Sequence, residues 1–184
     1  MTTEKHNGSV RPLAGHSPQL GERVFVDGSA VVIGEVSIGD DSSVWPQAVI
    51  RGDMHSINIG KRCSIQDGSV LHVTHAGPYT PDGWPVIIGD DVIVGHRAVL
   101  HGCTIHDEVL IGNGAIVMDG ATIEKQVVVA ANALVAPGKT LESGFLYVGS
   151  PAKQARPLTD DEISFFTYSC NNYVKLKKKY LDLE

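Results

Sequence analysis

Histidines are the side chains of this sequence whose type and spacing could do chemistry. His96 and His101 lie five positions apart in the stretch VGHRAVLHG, and His72 lies further upstream. Imidazole is a common metal ligand, and three imidazoles that leave one position open make a zinc site of the catalytic type. A spacing of five suits neither a helix, where ligands pair at three or four, nor one face of a flat strand. The backbone that brings these residues together must therefore be of another kind.

Aliphatic residues recur every six positions along most of the chain. A small or β-branched residue usually follows four positions after each of them, and glycine often comes next to them. This pattern predicts hexapeptide repeats in an all-β fold, a left-handed parallel β-helix in which three six-residue faces make one triangular coil. The recurring anchor residues are Leu20, Val26, Val32, Ile38, Val44 and Ile50; Ile59, Ile65 and Leu71; Ile88, Val94 and Leu100; and Ile105, Ile111, Val117, Ile123, Val129, Val135 and Leu141.

The period also assigns each anchor to a face. With Leu20 on the first face, coils begin at positions 20, 38, 59, 88, 105 and 123. Every interruption follows a third-face anchor, so we expect all excursions from the helix to leave at a single corner. Loops held by a rigid scaffold are where function concentrates, which makes this corner the place to look for a site.

The three-part organisation follows from where the period starts and stops. Residues 1–19, with His6 and His16, are predicted to be an N-terminal tail, residues 20–150 the β-helix, and residues 151–184 a turn and a C-terminal helix. Thr159 and Glu162 form a capping-box pattern, with Leu158 and Ile163 as a hydrophobic staple. One helix face, predicted to pack along the β-helix, carries Ile163, Phe166, Cys170, Tyr173, Val174 and Lys177.

The period places the histidines in columns. His72 and His101 each follow a third-face anchor directly, so they should stack on successive coils, with Arg51 in the same column one coil earlier. His96 lies two positions after a second-face anchor, in a different column beside Asp67. These three histidines cannot meet at one ion within one chain. They can meet if three chains pack side by side and His96 of one faces His72 and His101 of the next; the alternative is that they only line a polar seam.

Composition narrows the classes of molecule that the protein could bind. The formal net charge of −6 argues against a nucleic-acid surface, because no basic stripe is available to neutralise phosphates. No apolar stretch reaches the length of a membrane span, and the first residues lack the apolar core of a signal peptide. Cys63, Cys103 and Cys170 form no CxxC pair and are predicted to be buried thiols of a cytoplasmic protein.

Four motifs carry a resemblance to a known family. IRGDM at 50–54, IQDGSVLHV at 65–73, VGHRAVLHGC at 94–103 and GSPAK at 149–153 resemble the γ-class carbonic anhydrases, most closely the bacterial group of the YrdA, PaaY and CaiE type. The resemblance covers nearly the whole chain from Leu20 onwards. It implies a homotrimer with metal sites at the subunit interfaces, a small-molecule substrate, and a divalent metal, zinc first and iron or cobalt as alternatives.

The same resemblance implies roles for individual residues. His72, His96 and His101 match the family's metal ligands, and Arg51 and Asp53 match residues of the active site and subunit interface. Gln66 matches a residue that hydrogen-bonds the water on the metal, and Asp67 matches the acidic partner of the arginine. Tyr173 is expected to reach into the pocket from the C-terminal helix; it is equally compatible with a place in the core.

One departure from the family bears on activity. The excursion from 74 to 85 contains no glutamate to match the proton shuttle of the archaeal prototype, and has only Asp82. His55 or His75 could take over the shuttle, since imidazole titrates near neutrality. The expected function is hydration of carbon dioxide: a hydroxide generated on the metal attacks carbon dioxide and gives bicarbonate. The alternatives are acyl-CoA thioester hydrolysis at the same site and a non-catalytic accessory trimer; an acyltransferase is supported by the fold alone.

Overall fold

The computed structural model describes residues 9–181, which form a parallel β-solenoid and one C-terminal helix. The fold class predicted from the six-residue period is confirmed. The strands are β1 (Ser9–Arg11), β2 (Gln19–Leu20), β3 (Phe25–Val26), β4 (Val31–Ile38), β5 (Ser43–Val44), β6 (Val49–Ile59), β7 (Ser64–Ile65), β8 (Val70–His72), β9 (Val86–Ile88), β10 (Ile93–Val94), β11 (Val99–His101), β12 (Thr104–Ile105), β13 (Leu110–Ile111), β14 (Ile116–Val117), β15 (Thr122–Ile123), β16 (Val128–Val129), β17 (Leu134–Val135), β18 (Thr140–Leu141), β19 (Phe145–Val148) and β20 (Lys153–Pro157), and the helix is α1 (Asp160–Leu181).

Strand pairing confirms the predicted phase. The first-face anchors are in register along the whole solenoid, from Leu20 beside Ile38 to Ile123 beside Leu141. The second face runs from Val26 beside Val44 to Val129 beside Tyr147, and the third from Val32 beside Ile50 to Val117 beside Val135. The anchors point inward and form one continuous buried core. Removing this aliphatic column from water is the main favourable contribution to folding.

The predicted corner is where the chain leaves the coil. β4 and β6 run through it without a break, joining the third face of one coil to the first face of the next. The two strands pass so closely there that a Cβ on Gly34 would lie 2.2 Å from the carbonyl oxygen of Gly52. Only glycine fits at such an approach, which fixes the backbone of the Arg51-Gly52-Asp53 segment against the preceding coil.

The segment before the β-helix contributes to the sheet. Within the predicted N-terminal tail, β1 pairs in parallel with β4 and places Val10 beside Val32, so that residues 9–11 extend the third face. The six-residue period did not indicate this strand. Residues 1–8, including His6, lie outside the described part of the chain.

The helix begins as the capping pattern predicts. The Glu162 N–H donates to Thr159 Oγ1 at 3.2 Å, and the Thr159 N–H donates to Glu162 Oε2 at 2.9 Å. α1 packs on β3, β5 and β10 of the second face. Its buried residues are Phe166, Ser169, Cys170 and Lys177, three of which belong to the predicted face. Between residues 9 and 181 the structure has no helix long and apolar enough to cross a membrane.

The cysteines are all buried and free, as predicted. Burial raises the pKa of Cys103 to about 12, because a thiolate would lose its solvation in the core. These thiols are therefore packing residues of the solenoid and helix interface.

Candidate metal centre

His72 and His101 form the centre of the candidate site. β8 and β11 place the two residues directly beside each other, and β6 places Arg51 beside His72, as the column argument predicts. His72 Nδ1 lies 3.1 Å from His101 Nε2, and the ring centroids are 5.1 Å apart. Both rings are partly buried at the end of the third face.

Carboxylates occupy the far side of each ring. His72 Nε2 lies 3.0 Å from Asp53 Oδ1, and His101 Nδ1 lies 2.5 Å from Asp119 Oδ1. An ionised carboxylate only accepts hydrogen bonds, so these two ring nitrogens must carry the protons. In the neutral rings the remaining nitrogens, which face each other, both present lone pairs. Two facing acceptors repel each other, and either a proton or a metal cation between them relieves this repulsion.

The distance between the two nitrogens suits a shared metal ion. Bonds of ~2.0–2.1 Å to a tetrahedral zinc would place two imidazole nitrogens ~3.3 Å apart, close to the 3.1 Å observed. Imidazoles whose other nitrogen donates to a carboxylate are the usual form of such ligands. The residues present therefore fit a divalent metal.

Asp53 also joins the pair to Arg51. The Arg51 guanidinium donates to Asp53 Oδ2 while the other carboxylate oxygen faces His72. Burial opposes ionisation of Asp53, but the hydrogen bonds from Arg51 and His72 outweigh it and hold the pKa of the carboxyl below its ordinary value. The predicted pair between Arg51 and Asp67 would join two chains and stays a prediction.

His96 lies at the opposite edge of the third face. It occupies the turn between β10 and β11, and its Nδ1 is 2.9 Å from Asp67 Oδ2, which confirms that these two residues are neighbours. The His96 backbone N–H donates to Asn113 Oδ1 at 3.1 Å. His96 and Asp67 line an open groove of ≈590 Å³ together with Arg97 and Asn113.

Gln66 and Tyr173 meet beneath the helix. Both line a cavity of ≈160 Å³ between the second face and α1. Tyr173 packs edge-on against Trp45, with ring centroids 5.9 Å apart, and burial raises its pKa. Its neighbour is therefore the Gln66–Asp67–His96 edge, not the His72–His101 pair of the same chain.

No single chain gathers the three histidines. Across residues 9–181, no group of three or more His, Cys, Asp or Glu side chains is placed to hold a metal ion. This agrees with the expectation that His96 and the His72–His101 pair cannot meet within one chain. His106, which the column argument left out, is half exposed and lies 4.0 Å from Glu124.

The excursion is an ordered hairpin-like loop. Thr74 and Trp84 exchange backbone hydrogen bonds of 3.0 and 2.8 Å at its base, and Gly77 and Thr80 pair near its tip. His75 and Asp82 are exposed on it, whereas His55 is partly buried and accepts the Ser56 N–H at Nδ1. Within residues 9–181, neither histidine is hydrogen-bonded to His72 or His101.

Asp119 is the residue that the sequence reasoning missed. It lies one coil beyond His101, two positions after the third-face anchor Val117. The column argument extended by one more coil reaches Met118, so it does not indicate Asp119, which lies one position further along the chain. The motifs that suggested the other site residues end before it.

Comparisons with known proteins agree with this architecture. The family model described as "Bacterial transferase hexapeptide (six repeats)" matches residues 17–52 and 102–137. The chain is 57% identical to Protein YrdA of Escherichia coli over 94% of each chain. It is 41% identical to a carbonic anhydrase of Geobacillus kaustophilus, over 95% of this chain and 92% of that protein. A crystal structure of a hexapeptide transferase family protein from Anaplasma phagocytophilum superposes with a TM-score of 0.85 at 38% identity, covering 92% of this chain and 96% of the other.

Proposed function

The chain belongs to the hexapeptide-repeat family that includes YrdA and the γ-class carbonic anhydrases, and from this premise we propose that it is a metal-dependent carbonic anhydrase. The reaction is hydration of carbon dioxide to bicarbonate and a proton. The relatives named carbonic anhydrase support an enzyme of this kind. The metal, the trimer and the reaction are the proposal.

The observation that carries the proposal is the pair of facing nitrogens. His72 Nδ1 and His101 Nε2 are 3.1 Å apart, and carboxylates hold the opposite nitrogen of each ring. This arrangement is unfavourable for two neutral rings alone and favourable around a divalent cation. Zinc is the first expectation for an all-imidazole site, and iron(II) and cobalt are also compatible.

The third face supplies the surface on which two chains would meet. Its outward column is apolar on six successive coils, in contrast to the mostly polar outward column of the first face, which includes Gln19, Ser37, Asn58 and Thr104. The second face is covered by α1 at β3, β5 and β10. The apolar column consists of Val31, Val49, Val70, Val99, Ile116 and Leu134.

This apolar column lies between the two halves of the proposed site. His96 is on the turn that leads into the third face, and His101 is at the end of its strand. If copies of the chain bury this face in a head-to-tail arrangement, the edge of the face that carries His96 in one copy meets the edge that carries His101 in the next copy. Such an interface closes into a ring, and three prisms make the smallest one. The site would then take His72 and His101 from one chain and His96 from its neighbour.

The cation and the protein contribute different parts of the chemistry. When bound, a divalent cation supplies the Lewis acidity that makes water a nucleophile near neutral pH. Asp53 and Asp119 would hold the rings of His72 and His101 in the tautomers that accept no hydrogen bond from these carboxylates but donate one to them. Arg51 holds Asp53, and in the assembled trimer it is proposed to meet Asp67 of the adjacent chain.

Gln66 and Tyr173 complete the proposed site from the His96 side. Gln66 is 5% exposed and adjoins Asp67, where its amide is positioned to orient a polar reactant. Tyr173 closes the cavity above it from α1 and presents a phenol that stays protonated at neutral pH. Their proposed role is to orient the reacting water and exclude bulk solvent.

The proposed reaction releases one proton per turnover, and its removal should limit the rate. The excursion contains no glutamate, and its His75 and Asp82 side chains are exposed. We therefore expect slow hydration that small imidazole buffers accelerate in kcat without changing kcat/KM.

Carbon dioxide hydration and acyl-CoA hydrolysis should be assayed on the same metal-loaded protein, purified without oxygen so that iron is retained. Buffer-sensitive hydration would support the carbonic anhydrase. Thioester hydrolysis in the absence of hydration would replace it with the hydrolase. A protein that holds stoichiometric metal and does neither would indicate an accessory trimer.

A further inference from the structure

Asp119 contacts one proposed ligand and lies outside every motif that suggested the site. Its Oδ1 is 2.5 Å from His101 Nδ1, and its Oδ2 accepts a hydrogen bond of 2.8 Å from the Thr74 hydroxyl. Each carboxylate oxygen thus meets a side chain from a different element. Both ends of the carboxylate are fixed, so the direction in which it faces His101 is fixed as well.

The backbone that carries Asp119 is held by the excursion. The turn after β14 continues into Gly120, and a Cβ there would lie 3.1 Å from the Trp84 ring. A Cβ on Gly102 would lie 2.6 Å from Cβ of the same tryptophan. Trp84 therefore packs directly on the turns that follow β11 and β14. Thr74 and Trp84, which pair at the base of the excursion, both contact this region.

We propose that Asp119 is a positioning residue of the metal centre, which keeps His101 protonated at Nδ1 and its Nε2 free to bind the cation. Thr74 and Trp84 hold Asp119 in place, so the base of the excursion helps to set the geometry of the ligand. The proposal rests on the ligand role of His101 in the proposed function. It adds a supporting residue and a loop that neither the motifs nor the relatives' names assign.

The first measurement reads the tautomer directly in the metal-free, full-length protein. Long-range ¹H–¹⁵N correlation spectra should show His101 protonated at Nδ1 in the wild type. Asp119→Ala should shift His101 towards the Nε2-protonated tautomer, which isolated neutral imidazole favours. Asp119→Asn should restore the Nδ1 form, because the amide oxygen still accepts the hydrogen bond. This readout needs neither bound metal nor activity, so it can fail independently of the proposed function.

The second measurement is zinc affinity by chelator competition. Loss of such a supporting carboxylate typically lowers metal affinity ~10–100-fold, which is the loss expected for Asp119→Ala. Asp119→Asn should lose less, and Thr74→Val should lose several-fold. Asp107→Ala is the matched control. Asp107 Oδ1 accepts a hydrogen bond of 2.8 Å from the Asp90 N–H at a different corner of the solenoid, so the loss of this carboxylate should leave zinc affinity unchanged.

A folded Asp119→Ala variant with the wild-type His101 tautomer and unchanged zinc affinity would overturn the proposal. If that variant does not fold, Thr74→Val decides, because it leaves the carboxylate in place and removes only its second hydrogen bond. Wild-type zinc affinity in Thr74→Val would then contradict the role given to the excursion.

Discussion

The three proposed ligands differ in how much of their surroundings one chain supplies. The His72 side chain is only 13% exposed and the His96 side chain is 49% exposed. His72 already has Asp53 and His101 around it, whereas His96 has Asp67 on one side and an open groove on the other. This asymmetry is what a site completed by a second chain requires.

Replacement of single histidines should separate ligands from bystanders. His72→Ala, His96→Ala and His101→Ala should each lower zinc affinity by at least ~100-fold, because two imidazoles hold the ion far less tightly than three. The measurement is metal content after dialysis, followed by chelator competition.

His106→Ala is the matched control for these variants. His106 lies on the first face near Glu124, away from both columns, so its loss should leave metal content unchanged. Loss of metal in His106→Ala with retention in His96→Ala would show that the assignment of faces to ligands is wrong.

At the scale of elements, a buried lysine attaches the helix to the solenoid. Lys177 is fully buried, and its Nζ donates to Asp41 Oδ1 at 2.9 Å and to the Arg23 carbonyl oxygen. Burial lowers the pKa of Lys177, while the hydrogen bond that it donates to Asp41 opposes that shift. The Arg23 guanidinium also donates to Asp41. This hydrogen bond is the largest cause that lowers the pKa of Asp41; burial opposes it, and the hydrogen bond from Lys177 adds to it, so the pKa lies well below its ordinary range.

Lys177→Ala should therefore destabilise the docking of α1. Breaking a buried pair costs ~3–5 kcal/mol, and the lower end is expected here because Arg23 still neutralises Asp41. The measurement is urea unfolding combined with hydrogen exchange of the helix amides. Lys178→Ala, at the exposed neighbour, should change the free energy of unfolding by less than ~0.5 kcal/mol. Equal effects of the two substitutions would contradict the anchoring role.

The elements show which features the sequence could predict. A strict six-residue period determines register, because each anchor must point inward; the stacking of His72 on His101 and of Asp67 beside His96 followed from it. The helix start followed from Thr159 and Glu162, whose capping contacts are local.

Other features depend on contacts that the period does not encode. β1 was missed because Val10 lies ten positions before Leu20, outside the six-residue register. The contact of Lys177 with Asp41 joins residues 136 positions apart. The pair between Arg51 and Asp53 depends on the path of β6, which the six-residue period does not describe.

For the whole molecule, the apolar column of the third face should drive assembly. Val70 and Ile116, the third and fifth residues of the column, are 37% and 36% exposed in the single chain. Val70→Lys would place a charge in the proposed interface and should convert a trimer of 19.6 kDa chains to smaller species. Light scattering during gel filtration measures this, and metal content should fall with the trimer.

Asn58→Lys provides the control for assembly. Asn58 occupies the outward column of the first face, where Ser37 and Ile87 are its neighbours. A lysine there should leave the mass in solution unchanged. If Asn58→Lys dissociates the trimer and Val70→Lys leaves it intact, the assignment of the interface to the third face is wrong.

The central claim, that each metal site is shared between two chains, is tested most directly by mixing inactive subunits. His96→Ala and His101→Ala chains, carrying different affinity tags, are coexpressed, and trimers with both tags are isolated and analysed for metal. In a cyclic trimer of mixed composition, one interface joins an intact His96 to an intact His72–His101 pair, so about one metal ion per mixed trimer is expected, while each pure variant binds none. Mixed trimers without metal, or a pure variant that retains it, would contradict a site built between chains.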